Sequence, residues 1–438
     1  MSENEITNEG LQRALSAAVA AYSGNNPRSR QLAKDAALVM PGGNTRTTLW
    51  NDPFPLFIQQ GQGAKILDAD GHWYVDFLGE FTQGIFGHSP EELKHAITDA
   101  LERGLNLSSH NAYEGQLAEQ ICGRFPSIDR VRFTNSGTEA NLMAITAAKA
   151  FTGRDLIIVF EGAYHGTGLA FASGVTAETI PHHFLVLPYN DKQALLAAVE
   201  AHGAELAAII AEPMLGAGGC MPGDADFLRC AQRLARSAKA LLIFDEVQTA
   251  RLSPGGRQTL LGLSPDLTTL GKFFGGGLAF GCFGGRADIM ALFDPREPGH
   301  LTHAGTFNNN SLTMAAGLAA CKSLLTADAL AALNARGDYL REQIAETIKR
   351  YGAPFRVTGL GSIMNIHPLG SSGDVPAWRQ LLFFEMAQAG IFFAMRGLIA
   401  LSFAVADTDI ARFLEALEAF LARSAPLFAA SQTFERAG

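Results

Sequence analysis

Lys272 sits in Leu270-Gly271-Lys272-Phe273-Phe274-Gly275-Gly276-Gly277, between an apolar run and three successive glycines. An amine flanked in this way can stay neutral and nucleophilic, which condensation with an aldehyde requires. Upstream, the apolar run Leu241-Leu242-Ile243-Phe244 ends in Asp245-Glu246-Val247. An ionised acid there has a large desolvation cost unless it meets a positive partner, and a protonated pyridine nitrogen would be one. Together these residues suggest a pyridoxal phosphate site, with Asp245 for the ring nitrogen and Lys272 for the aldehyde. Once a substrate amine displaced it, the tethered lysine would already be placed to move a proton at the reacting carbon. Plainer readings exist for each residue alone, since most lysines are surface groups and an acid at a strand end commonly caps the next helix.

Three further segments carry polar groups suited to such a site. Asn135-Ser136-Gly137-Thr138-Glu139 follows a strand signal and precedes an apolar-periodic helix. Ser136, Gly137 and Thr138 offer hydroxyls and N–H groups at a helix start, where a phosphate is favoured by ~1 kcal/mol, although a simple cap explains the turn equally well. In Ala163-Tyr164-His165-Gly166 the tyrosine could cover one face of a pyridine ring while Val247 covers the other, or it could pack on the surface, with His165 as a neighbour. Arg46, in Pro41-Gly42-Gly43-Asn44-Thr45-Arg46, and Arg396, in Ala394-Met395-Arg396-Gly397, come from opposite ends of the chain. Arginine is the natural clamp for a planar carboxylate, although an isolated arginine is more often solvated or salt-bridged. Arg251 and Arg257 are weaker candidates.

The elements that must position these groups are legible as patterns. Helices are predicted over 10–22 and 28–39, and short strands over 56–59, 64–68 and 74–78, with Asp70-Gly71 as a turn. From about residue 90 helices and strands alternate, with strands at 130–135, 155–160, 183–187, 206–212, 240–245, 267–270 and 280–284. A long helix at 329–351 is followed by strands at 355–360 and 362–367, a helix near 378–388, a strand near 398–403, and a last helix from an Asp407 cap to about Ser424. The fold class is therefore α/β, with a large domain at 90–330 holding a mostly parallel sheet. Residues 1–89 and 331–438 are expected to build a small α+β domain from both termini.

Composition narrows the function. A formal charge of −9 argues against a nucleic-acid surface, and no apolar run reaches the roughly 18 residues that span a bilayer. The acidic start lacks the basic and apolar regions of a secretory signal. Five cysteines without C-x-x-C spacing read as buried thiols in a reducing compartment, with neither a metal site nor disulfides expected. The expectation is a cytoplasmic enzyme that binds no membrane and no nucleic acid.

With these residues in place the chain resembles the class III aminotransferases of pyridoxal phosphate fold type I. The resemblance rests on Phe133–Asn141, Ala211-Glu212-Pro213, Phe244-Asp245-Glu246-Val247-Gln248-Thr249, Leu270-Gly271-Lys272 and Gly305-Thr306-Phe307-Asn308-Asn309-Asn310, in that order. It implies a seven-stranded sheet, Gln248 against the 3′ oxygen of the cofactor, Glu212 in substrate binding, and a homodimer in which Thr306 reaches the neighbouring cofactor's phosphate.

Met40–Arg46, Pro53-Phe54-Pro55-Leu56, Leu187–Asp191, Leu381–Phe384 and the Asn308–Asn310 triplet are similar to bacterial β-phenylalanine aminotransferases. In that family the arginine matching Arg46 binds the β-amino acid carboxylate, and the one matching Arg396 helps hold a dicarboxylate acceptor. The implied reaction is ping-pong transfer from an aromatic β-amino acid such as (S)-β-phenylalanine to 2-oxoglutarate or pyruvate, through pyridoxamine phosphate. Phe54, Phe81 or Phe86 would supply an apolar wall. Glutamate-1-semialdehyde aminomutases are similar more distantly, which leaves an aminomutase and an ω-amine:pyruvate transaminase as alternatives.

Overall fold

The seven runs between residues 130 and 285 become the strands of one sheet, in the spatial order Arg130–Thr134, Gly281–Gly285, Leu267–Gly271, Leu241–Asp245, Leu206–Ala211, Leu156–Phe160, His183–Leu187. Gly281–Gly285 is antiparallel to both neighbours, and every other pairing is parallel. The chain is described over residues 8–432 in a computed structural model. It divides into two compact units, Met1–Ser89 with Ala335–Gly438, and Pro90–Asn334, and the sheet belongs to the second.

Strands Leu156–Phe160, Leu206–Ala211, Leu241–Asp245 and Leu267–Gly271 are buried at every position, as a sheet covered by helices on both faces requires. Alternate side chains serve the two faces. Ile157 and Val159 pack with Ala140, Ala144 and Ala148 of helix Gly137–Thr152, whereas Ile158 and Phe160 pack with Phe227 and Leu228 of helix Ala225–Ser237. Each such large apolar side chain contributes about 1.5–3 kcal/mol on burial. The small alanines let helix Gly137–Thr152 lie close to the strands, and so set where its N-terminus falls.

The first unit draws on both chain ends. Ile58–Gln62, Lys65–Asp68 and Trp73–Asp76 form an antiparallel meander, and Ile391–Phe392 adds a fourth, parallel strand. Phe355–Leu360, Ile363–Pro368 and Leu398–Ala400 form a separate antiparallel sheet. Tyr22 packs against both Phe54 and Phe384, with ring centroids 5.2 and 4.9 Å away. One strand was not foreseen and two expectations are corrected. Strand Ile391–Phe392 is too short to leave a period in the sequence. Asp407 lies inside the first turn of the last helix, and the carboxylate of Asp409 instead accepts from the N–H of Ala406. That helix also passes Ser424 and runs to Gln432 with Pro426 inside, where Phe428 packs on Trp378 at 5.5 Å. Among the described residues no single helix is long and apolar enough to cross a membrane.

The glycines of Gly281-Cys282-Phe283-Gly284-Gly285 have a steric cause. A Cβ at Gly281 would lie 2.0 Å from the carbonyl oxygen of Ser136, and one at Gly285 would lie 2.1 Å from that of Asp266. Gly281→Ala should therefore displace the turn at Ser136 and cost about 1–3 kcal/mol or more. Urea denaturation should show the loss, together with weaker retention of a bound phosphate ligand at that turn.

Candidate active site

Asp245 closes its strand with a carboxylate only 4% exposed. Its Oδ2 accepts from Asn141 Nδ2 at 2.8 Å and lies 2.8 Å from His165 Nδ1, while Oδ1 accepts from the Val247 N–H at 3.0 Å. Asn141 is fixed in turn, because its Oδ1 accepts from Thr269 Oγ1 at 2.6 Å and its Nδ2 also donates to the His165 carbonyl at 3.0 Å. The carboxylate is thus oriented by three donors before any ligand arrives. His165, expected as a neighbour of the site, is a direct partner of Asp245. Sequence reasoning missed Asn141 and Thr269; the signal was present, since Asn141 lies one helical turn beyond Gly137 on the face that meets the sheet.

Lys272 emerges from the adjacent strand, in which Thr269 is in register with Asp245. It has φ +54°, a left-handed conformation that costs a non-glycine residue about 1–2 kcal/mol. Gly276 behind it also has positive φ, and a Cβ there would lie 2.6 Å from the backbone of Ala316. Gly276 is therefore needed for close backbone approach. Val247 ties the strand ends together, since a Cβ at Gly137 would lie 3.0 Å from its Cγ2 and one at Gly271 3.4 Å from its Cγ1.

Ser136 caps helix Gly137–Thr152, its Oγ accepting from the Glu139 N–H at 3.1 Å. Thr138 faces Gly166, where φ is +120° and a Cβ would lie 2.1 Å from Thr138 Oγ1, so this turn and the Tyr164 turn are in contact. Tyr164 is 43% exposed. Gln248 lies against Gly216, and its buried Oε1 has no hydrogen-bond partner among the described residues; His165 Nε2 is in the same condition. Thr306 is exposed on a segment fastened by its neighbours: Asn308 Oδ1 accepts from Asn135 Nδ2 at 3.0 Å, and the Asn309 carbonyl accepts from Asn111 Nδ2 at 2.8 Å. Asn310 caps the next helix. Arg251 and Arg257 are both buried, and Arg257 donates to the carbonyls of Pro213 and Gly223.

Arg46 and Arg396 both belong to the first unit and come together on one ring. Their guanidinium carbons lie 5.7 and 5.5 Å from the centroid of Phe81. Arg46 Nη2 is also 2.5 Å from Glu80 Oε1. Gly79, Glu80, Phe81 and Thr82 have φ of +52°, +49°, +56° and +80°, a turn of successive positive-φ residues that L-residues adopt only under constraint. The constraint is visible: Asp76 Oδ1 accepts from the N–H groups of Leu78 and Gly79, Asp76 Oδ2 lies 3.0 Å from His88 Nε2, and the Gly84 N–H closes on the Gly79 carbonyl at 2.7 Å. A cavity of about 610 Å³ adjoins the turn, lined by Trp50, Phe57, Phe81 and Phe383 with Glu80 and Arg396. Of the three phenylalanines expected as a wall, Phe81 lines this cavity. Phe54 and Phe86 are instead buried, against Tyr22 and Phe403.

Glu212, expected to touch substrate, has other contacts. Its Oε1 accepts from the Tyr164 N–H and its Oε2 from the Gly216 N–H, each at 2.9 Å. Burial, followed by the nearby charge of Asp245, pushes its carboxyl up to about 7, against the pull of His165 and the two N–H donors. A carboxyl raised above its unfolded value stabilises the fold fully at low pH, and that contribution is lost as pH rises through about 7. Cofactor-free protein should accordingly melt at lower temperature at pH 8 than at pH 6, and Glu212→Gln should flatten that part of the melting profile.

The class III aminotransferase family model matches residues 47–421. The chain is 48% identical to the β-phenylalanine transaminase of Variovorax paradoxus over 95% of this chain and 98% of that protein. It is 37% identical to a glutamate-1-semialdehyde 2,1-aminomutase of Akkermansia muciniphila over 90% and 99% of the two chains. The crystal structure of the Variovorax β-phenylalanine aminotransferase aligns with a TM-score of 0.93 over 95% of this chain and 99% of that one. An ω-transaminase from Sphaerobacter thermophilus, 35% identical, aligns at 0.84 over 91% and 98%. The residues present fit pyridoxal phosphate, the cofactor of this family: a buried carboxylate at a strand end, a lysine on the adjacent strand end, and N–H groups at a helix start. The chain therefore belongs to the class III aminotransferases, pyridoxal phosphate-dependent transaminases of fold type I that pass an amino group from a donor to a keto acid acceptor.

Proposed function

We propose that the enzyme moves the amino group of an aromatic β-amino acid such as (S)-β-phenylalanine to 2-oxoglutarate or pyruvate, in two half-reactions. The observation that carries the substrate class is the pair Arg46 and Arg396 on the Phe81 ring, beside an apolar cavity. Its near relative named for β-phenylalanine supports the same choice. Arg46 binds the β-amino acid carboxylate, Phe81 and the cavity wall take the aromatic group, and Arg396 helps hold the second carboxylate of a dicarboxylate acceptor.

Pyridoxal phosphate supplies an aldehyde that takes up the amine and a ring that stabilises negative charge on the neighbouring carbon. Lys272 holds the cofactor at rest, and its Nζ then takes the proton from the amine-bearing Cβ of the donor. Asp245, oriented by Asn141, His165 and the Val247 N–H, keeps the ring nitrogen protonated. Ser136, Gly137 and Thr138 bind the phosphate at the helix start. Tyr164 and Val247 cover the two ring faces, and Gln248 contacts the 3′ oxygen. Glu212 holds the Tyr164 turn against Gly216.

The active unit is a homodimer in which the exposed Thr306 reaches the phosphate bound by a second copy. The enzyme works in the cytoplasm, a reading supported by its five free cysteines.

Arg46→Ala should reduce kcat/KM for (S)-β-phenylalanine by about 100-fold, the scale for truncating one partner of a charged contact, and leave amines without a carboxylate nearly unaffected. Half-reactions followed through the cofactor spectrum provide the measurement; equal loss on both donors would refute the clamp. Return of the cofactor to its aldehyde form without added keto acid would indicate an aminomutase instead. Borohydride reduction of the holoenzyme should place the adduct on the Lys272 peptide, and its appearance on another peptide would overturn the lysine assignment.

A further inference from the structure

We propose that Glu80 determines substrate specificity, as an internal carboxylate that occupies Arg46 whenever the ligand brings none to it. The inference rests on the reading of Arg46 as the carboxylate clamp. Glu80 Oε1 meets Arg46 Nη2 at 2.5 Å with side chains 52% and 47% exposed, so neither partner is locked by burial. The backbone that delivers the carboxylate is, by contrast, held firmly. Glu80 stands on the left-handed turn Gly79–Thr82, secured at its entry by Asp76 and closed by Gly84. A mobile head on a fixed base is what a displaceable counterion needs.

Charge gives this arrangement a purpose. Arg46 and Arg396 both lie within 6 Å of the Phe81 centroid, and two like charges facing one ring repel each other. Glu80 offsets one of them at rest. The recorded Glu80 contact is made through Nη2, and a guanidinium offers five N–H donors, so an incoming carboxylate can bind the fork before Glu80 leaves. A β-amino acid or a dicarboxylate acceptor must displace Glu80 from Arg46. An amine lacking a carboxylate leaves the pair intact. Since half-exposed ion pairs are weak, the displacement costs little, and Glu80 tunes selectivity by several-fold without blocking carboxylates.

The test compares Glu80→Gln holoenzyme with wild type on (S)-β-phenylalanine and 1-phenylethylamine, with 3-phenylpropanoate as an unreactive carboxylate. In Glu80→Gln, KM for the β-amino acid and the inhibition constant of 3-phenylpropanoate should each fall about 3–5-fold at unchanged kcat, while KM for the amine stays level or rises. Glu80→Asn, whose side chain tolerates positive φ, should reproduce the shift should the glutamine variant fold poorly. Glu80→Asp, which keeps the charge, should remain close to wild type. An unchanged ratio between the two donors, or an equal rise in both KM values, would overturn the proposal, the latter by showing that Glu80 merely holds the turn. Arg46→Ala separates the two layers: if it leaves KM for the β-amino acid unchanged the clamp itself fails, whereas a raised KM there with no shift in Glu80→Gln removes only the role of Glu80.

Discussion

An ionised carboxylate at the end of a fully buried strand has to recover the hydration it has lost, and the second unit is arranged around that requirement at Asp245. Asn141 comes from helix Gly137–Thr152 and His165 from the loop after strand Leu156–Phe160, and the Val247 N–H comes from the strand's own continuation. Thr269, one strand over, fixes Asn141. These donors orient the acid before any ligand arrives. Lys272 leaves the neighbouring strand end with a left-handed φ.

The first unit solves a different problem, the placing of two positive side chains together. Arg46 and Arg396 lie 350 residues apart in sequence, and a single aromatic ring gives each a favourable face. That ring sits on backbone that L-residues avoid, and Asp76 and His88 hold it there. Local strain sustained by surrounding hydrogen bonds is typical of functional sites, where side-chain position matters more than local stability.

Much of this was legible in the sequence where burial imposes a simple pattern. Several of the seven strands announced themselves as nearly apolar runs, and Asp245 and Lys272 stood out as polar residues at the ends of two of them. The arginine pair was identified by residue type and resemblance, but their meeting on Phe81 was hidden, since nothing in Leu78-Gly79-Glu80-Phe81-Thr82 signals a left-handed turn with three non-glycine residues. The contacts of Glu212 were hidden for a related reason. A carboxylate following an apolar strand looks available for ligand, and only the fold shows its two oxygens taken by the N–H groups of Tyr164 and Gly216. The asparagine triplet likewise gives no hint in sequence that Asn308, Asn309 and Asn310 each answer to a different partner.

The glycine-rich antiparallel strand Gly281–Gly285 has a wider implication. With no side chain between it and the Ser136 carbonyl, the turn at Ser136 is cast directly against the sheet and has no room to drift. The residues read as holding the cofactor fall in one unit of the chain, while the arginines, the left-handed turn and the apolar cavity belong to the other. A change of side chain in the second set leaves the hydrogen bonds around Asp245 untouched, because those all lie within the other unit.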